Sequence, residues 1–156
     1  LFDSKTVFEN VAFPLDMFTN LNRQQIHERV AFCLERVRLS HAVDQLPADL
    51  SGGMKKRAAL ARAIALNPTY LICDEPNSGL DPETASIIDH LIAELTHEFK
   101  MTTIVITHDI NSVLAIGEHV LYIDQGIKAW EGQGQDLARV NDPRLKQFIQ
   151  TRGVHL

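Results

Sequence analysis

A helix opened by a serine and two glycines, followed by a short apolar strand that ends on two carboxylates, limits most strongly what this chain can build. The first element is LSGGMKKR at residues 50–57 and the second is YLICDE at residues 70–75. The opening turn of a helix leaves backbone N–H groups unpaired, and the macrodipole concentrates partial positive charge there. Glycines at that turn let a phosphate approach the backbone, and the Ser51 hydroxyl can donate to a phosphate oxygen. Lys55, Lys56 and Arg57 add positive charge in the same turn. For Ser51, Gly52 and Gly53 alone, a plain cap followed by a solvated basic turn is the simpler reading. The downstream pattern weighs against it.

In open α/β sheets, ligands bind beyond the carboxyl ends of strands, which is where Asp74 and Glu75 fall. Successive residues leaving a strand point in different directions, so the two carboxylates can hold separate jobs. Asp74 is expected to face a magnesium ion through its water shell, and Glu75 to polarise a water attacking a γ-phosphorus. An Asp-Glu pair also occurs as a loop cap, but here it follows an apolar strand and precedes Pro76. SGLD at residues 78–81, followed by Pro82, is by itself a turn and a helix cap. Its place just past the carboxylates makes Asp81 a candidate for contact across a dimer. His108, in the THD run that ends the next apolar strand, is expected on the same sheet edge as Glu75. A lone histidine there is more often structural, yet an imidazole in that place could hydrogen-bond a γ-phosphate.

Periodicity supplies the frame around these motifs. Thr6 and Glu9 have capping-box spacing, which predicts a short helix stopping at Pro14. Ile26, Val30, Cys33, Leu34 and Val37 recur at helical spacing from Asn22 to about Ser40. A helix from Ser51 to Leu66 ends at Asn67 and Pro68. Residues 69–73 read as a strand, and Asp81 with Pro82 opens a helix carrying Ile87, Ile88, Leu91, Ile92 and Leu95. Residues 102–107 have the β-branched composition of a buried parallel strand. A short helix over residues 111–116 stops at Gly117, and residues 119–124 and 127–131 make an edge hairpin through Gln125 and Gly126. Two short helices follow, the second from Pro143 to about Thr151.

LSGGM resembles the signature motif of ATP-binding cassette (ABC) ATPases, YLICDE their Walker B strand, SGLD their D-loop and THD their switch-histidine loop. The resemblance covers essentially the whole chain. More narrowly, LFDSKTVFENVAFPL, SGGMKKRAALARAIAL and CDEPNSGLDPET look like the ATPase subunit of Mla-type lipid-asymmetry transporters, which move phospholipid between the two membranes of Gram-negative bacteria. It implies an α/β chain with a partial P-loop NTPase fold: a helical subdomain, then a parallel sheet core with an edge hairpin. The expected division is a helical subdomain over 1–50, the signature helix over 51–66, a RecA-like core portion over 67–132 and C-terminal helices over 133–156. ATP and Mg2+ are the implied cofactors. Ser51, Gly52, Gly53 and Asp81 are implied to meet nucleotide across a homodimer, Asp74 to serve the metal, and Glu75 and His108 to be catalytic. A membrane-spanning permease is the other implied partner, with residues 7–15 lining a groove for its coupling helix or, equally, packing into the core.

The pattern also departs from the family. No GxxxxGK[ST] phosphate loop occurs, and the chain opens on Leu1, so it reads as a fragment lacking Walker A, the adenine-stacking aromatic and the Q-loop. Alone it is expected not to turn over ATP, and the exposed interior edge of its parallel sheet is expected to make it poorly soluble, because unpaired strand edges template association. The net charge of −5 weighs against nucleic acid. Cys33 and Cys73 sit in apolar runs and are expected to be buried free thiols. No apolar run approaches the roughly 20 residues needed to span a bilayer, so a cytoplasmic site at the inner membrane would come through the permease. Two alternatives stay open: a soluble ABC ATPase without a transport role, and an ABC-fold binding module that has lost catalysis.

Overall fold

Thr6 and Glu9 close a reciprocal capping box at the start of helix α1 (Val7–Phe18): the Thr6 N–H donates to the Glu9 carboxylate at 2.7 Å, and the Glu9 N–H donates to the Thr6 hydroxyl at 3.2 Å. The computed structural model describes residues 1–151; the end of the expected C-terminal segment, residues 152–156, lies outside them. Helix α1 runs through Pro14 rather than stopping there. An interior proline costs about 3 kcal/mol. Against that, Val7, Val11 and Leu15 lie on one stripe and are at most 2% exposed, each burial being worth roughly 1.5–3 kcal/mol. Packing wins. It also makes Val7 and Val11 core side chains rather than groove lining, while Phe8 and Phe13 are half-buried.

Helix α2 (Arg23–Arg36) starts on a second capping box, Asn22 with Gln25. It stops short of Ser40 because Arg38 takes a left-handed conformation, φ 56°. The Arg38 N–H then bonds the Glu35 carbonyl and the Leu39 N–H bonds the Leu34 carbonyl, a Schellman closure made without glycine. Helix α3 (Gly52–Ile64) ends under Arg29 of α2, whose guanidinium donates to the Ile64 and Ala65 carbonyls at 2.7 and 2.8 Å. The three helices pack on one another through Val30, Cys33, Leu34, Ala58, Ala61 and Ile64, all buried.

Strands β1 (Tyr70–Asp74) and β2 (Thr102–Ile106) are hydrogen-bonded neighbours joined through α4 (Pro82–Phe99), which opens on the expected Asp81 cap. Leu71 and Cys73 of β1 are buried, but Tyr70 and Ile72 between and beside them are 70% and 66% exposed. The expectation of a buried β2 is not met: Ile104 and Ile106 are 52% and 51% exposed. A strand reads as continuously β-branched and apolar when both its faces are covered; here the second cover is not supplied by the described residues.

The chain divides into two compact units, Leu1–Val105 and Ile106–Leu156. The second contains α5 (Ile110–Ile116), the hairpin β3 (Val120–Asp124) and β4 (Ile127–Gly132), a 3-10 stretch at Gly134–Arg139 and α6 (Pro143–Thr151). Gln125 and Gly126 both take positive φ, 50° and 79°, the two-residue turn that matches strand twist. Among the described residues β3 and β4 pair antiparallel as a two-stranded sheet. Ile110, Leu137, Val140, Leu145 and Ile149 form this unit's core. No helix among the described residues is long and apolar enough to cross a membrane.

Candidate active site

Helix α3 begins on Ser51, whose extended backbone and hydroxyl make it the N-cap; the hydroxyl oxygen accepts from the Met54 N–H at 3.3 Å. That leaves the hydroxyl proton available to an anion. The two glycines do different work. Gly52 is exposed, while Gly53 is buried, and a side-chain carbon on Gly53 would stand 2.6 Å from Thr84 Cγ2. One on Gly52 would stand 3.1 Å from Leu80 Cδ2. The glycines therefore bring the start of α3 close to residues 80–84. The basic turn is not simply solvated either. Lys56 donates to the Glu75 carbonyl at 3.1 Å, and Arg57 to the Val37 and Arg38 carbonyls at 3.3 and 2.8 Å. Lys55 remains exposed.

Asp74 is the exposed last residue of β1, and Glu75, half-buried, leaves the strand with φ 47°. A non-glycine residue in the left-handed region is uncommon and persists where surroundings over-determine it. The Glu75 carbonyl accepts from Lys56 and also from the Ser78 N–H at 3.2 Å. The next turn is pinned by Asn77, which donates to the Asp89 carboxylate of α4 at 2.6 Å, both residues buried. Gly79 supplies the positive φ of 80° that the turn requires. Asp81 then accepts from the Thr84 N–H at 2.9 Å and the Thr84 hydroxyl at 2.6 Å. The hydroxyl bond, followed by the backbone bond, holds its carboxyl below the ordinary aspartate range.

His108 belongs to the second unit, and Ser51, Gly52, Gly53, Asp74, Glu75 and Asp81 to the first. It is exposed, in a turn where the Thr107 hydroxyl accepts from the Asp109 N–H and Asp109 caps α5 through the Asn111 N–H. Cys33 and Cys73 are buried free thiols, and burial pushes both pKa values up, away from thiolate chemistry. Among the described residues no group of three or more His, Cys, Asp or Glu side chains could cage a metal. Asp74 and Glu75 offer oxygen only, which fits a magnesium ion that keeps waters and takes its remaining ligands from phosphates.

Sequence reasoning missed Lys56 as a partner of Glu75, and the Asn77–Asp89 pair. Asp89 carries a signal in hindsight: a carboxylate beside Ile88 and among Ala85, Ile88 and Ile92 is an acid on a buried stripe, which requires a partner. Nothing local marks Lys56, whose partner lies across two elements.

The chain is similar over most of its length to proteins of known family. The ABC transporter family profile matches residues 1–78, half of the 156. The chain is 43% identical to the intermembrane phospholipid transport system ATP-binding protein MlaF of Escherichia coli K12, over 96% of this chain and 55% of that protein. It is 40% identical to the methionine import ATP-binding protein MetN 1 of Pseudomonas savastanoi pv. phaseolicola, over 96% of this chain and 45% of that one. The chain thus spans about half the length of the curated relatives it matches. A dimeric bacterial ABC transporter cassette of known structure superposes with a TM-score of 0.75 at 33% identity, covering 85% of this chain and 58% of that one. A dimeric post-hydrolysis cassette bound to ADP and Pi gives 0.74. The profile, the two relatives and the two cassettes lead to one assignment: the chain belongs to the ABC transporter family.

Proposed function

We propose that this chain is the signature-bearing portion of an ATP-hydrolysing subunit that powers a membrane transporter as a head-to-tail dimer. The observation that carries the reading is the convergence of the α3 start on the turn that follows Asp74 and Glu75. In a dimer of this kind, Ser51, Gly52 and Gly53 of one subunit grip the terminal phosphate of ATP held by the other. Glu75 accepts a proton from the attacking water and orients it, and His108 would hold the γ-phosphate. Asp74 would hold magnesium, which neutralises charge developing on the phosphate oxygens. The Asp81 carboxylate, already engaged with Thr84, would reach the partner by a bond additional to its cap.

Within the family we favour a phospholipid transporter, from the 43% identity to MlaF. The 40% identity to MetN 1 supports a second reading, a methionine importer. Attachment to a permease would put the subunit at the cytoplasmic face of the inner membrane. The 156 residues alone, with no phosphate loop, are proposed not to turn over ATP.

The test is phosphate release by the full-length polypeptide carrying this sequence. Glu75→Gln is expected to abolish turnover while ATP stays bound; an unchanged steady-state rate removes Glu75 from its role. In the permease complex, stimulation by phospholipid rather than by methionine supports the first cargo, and the reverse supports the second.

A further inference from the structure

Lys56 stands early in α3, at the end of the helix where the macrodipole disfavours a cation. Its ammonium reaches the carbonyl of a residue nineteen positions away, Glu75, at 3.1 Å. An ammonium donor makes this a charge-assisted bond, stronger than a neutral one. The acceptor belongs to the residue held at φ 47°, a conformation that needs support from its surroundings. The same carbonyl accepts from the Ser78 N–H, and Asn77 ties the other side of the turn to Asp89. Glu75 is thus held by its backbone from α3 and, through Asn77, from α4. That backbone fixes the Cα–Cβ bond from which the carboxylate extends.

We propose that Lys56 is a positioning residue for ATP hydrolysis: through the Glu75 carbonyl it holds the left-handed backbone from which the Glu75 carboxylate reaches its site. The proposal rests on the function argued above. Because Lys56 rides on the helix that starts at Ser51, movement of that helix start in response to a partner's phosphate is passed to the hydrolytic carboxylate of the same subunit. Lys56 touches neither substrate nor reacting water in this role, so its signature is a loss of turnover without a loss of binding.

The experiment compares the full-length subunit with its Lys56→Met and Lys56→Arg variants, measuring kcat, KM for ATP and melting temperature. Lys56→Met is expected to lower kcat on the order of tenfold with KM moved less than about twofold, since small misplacements of a catalytic group cost turnover first. Lys56→Arg, which keeps a cationic donor, is expected to recover most of the rate. A Lys56→Met rate equal to the parent's overturns the proposal. So does a loss of kcat that comes with an equal rise in KM or a fall in melting temperature and that Lys56→Arg does not repair. If the unsubstituted subunit hydrolyses no ATP, the functional reading itself falls; if it does and Lys56→Met matches it, only this proposal falls.

Discussion

In α1 and α2, Val7, Val11, Val30 and Cys33 have no exposed surface, whereas Tyr70 and Ile72 of β1 and Ile104 of β2 each leave half or more of theirs in water. The strands are apolar along nearly their whole length, YLIC in β1 and IVI in β2, whereas α2 carries its apolar residues on one stripe among charged ones. The helices close on one another and on α3 with their own residues. The strands have one side covered, through Leu71 and Cys73, and the other bare. Exposed apolar area of this kind marks a surface prone to association or contact with another surface. The turn after Asp74 and Glu75 is held from α3 by Lys56 and from α4 by Asp89, on the side that the helices cover.

Substitutions on the two sides put the difference to the test. Ile64→Ala, in the closed helical layer, is expected to cost about 2–5 kcal/mol of unfolding free energy. Ile72→Thr, on the bare face, is expected to change it by no more than about 0.5 kcal/mol, while reducing self-association seen by light scattering. Urea denaturation of both variants decides: equal losses would mean the two surfaces are equally packed. A smaller effect sharpens the picture of how the helical layer closes. Arg29→Met removes the donors from the Ile64 and Ala65 carbonyls and is expected to cost about 1–3 kcal/mol. A melt indistinguishable from the parent's would show that water closes that helix end equally well.

Much of the frame was legible from local chemistry. The box at Thr6–Glu9, the Asp81 cap with Pro82 and the turn at Gln125 and Gly126 all depend on residues within one turn of each other. The errors share a different cause. Pro14 is carried through by burial of Val7, Val11 and Leu15 against other helices, and α2 stops early because Arg38 goes left-handed beneath Arg57 of another helix. The exposure of Ile104 depends on which layers are present, which composition does not encode. At the site, residue types and order were readable. The second job of Gly53, packing against Thr84, and the engagement of Lys56 were not, since both are contacts between distant segments.

The smallest expected effect is a pH dependence at Asp81. Its pKa is lowered in the folded chain, first by the Thr84 hydroxyl and then by the Thr84 N–H. A depressed carboxyl pKa contributes stability that is present above the unfolded-state value, near about 4, and is lost as pH falls through the folded-state value. Asp81→Asn is expected to flatten that part of a stability-versus-pH profile measured by thermal melts. An unchanged acid limb would show that the cap does not contribute there. The comparison gains from this because the cap anchors the turn on its α4 side.

In the proposed dimer each hydrolytic site joins the α3 start of one subunit to the Glu75 of another, and mixing inactive subunits puts that arrangement to the test. Full-length Ser51→Arg and Glu75→Gln subunits are each expected to be inactive as homodimers. Exchanged into mixed dimers, they leave one site with an intact Glu75 facing an intact Ser51, because a head-to-tail dimer separates the two residues between sites. The account predicts that phosphate release returns on mixing. A mixture as inactive as its components would contradict it, since that is the outcome if Ser51 and Glu75 of the same subunit serve the same nucleotide.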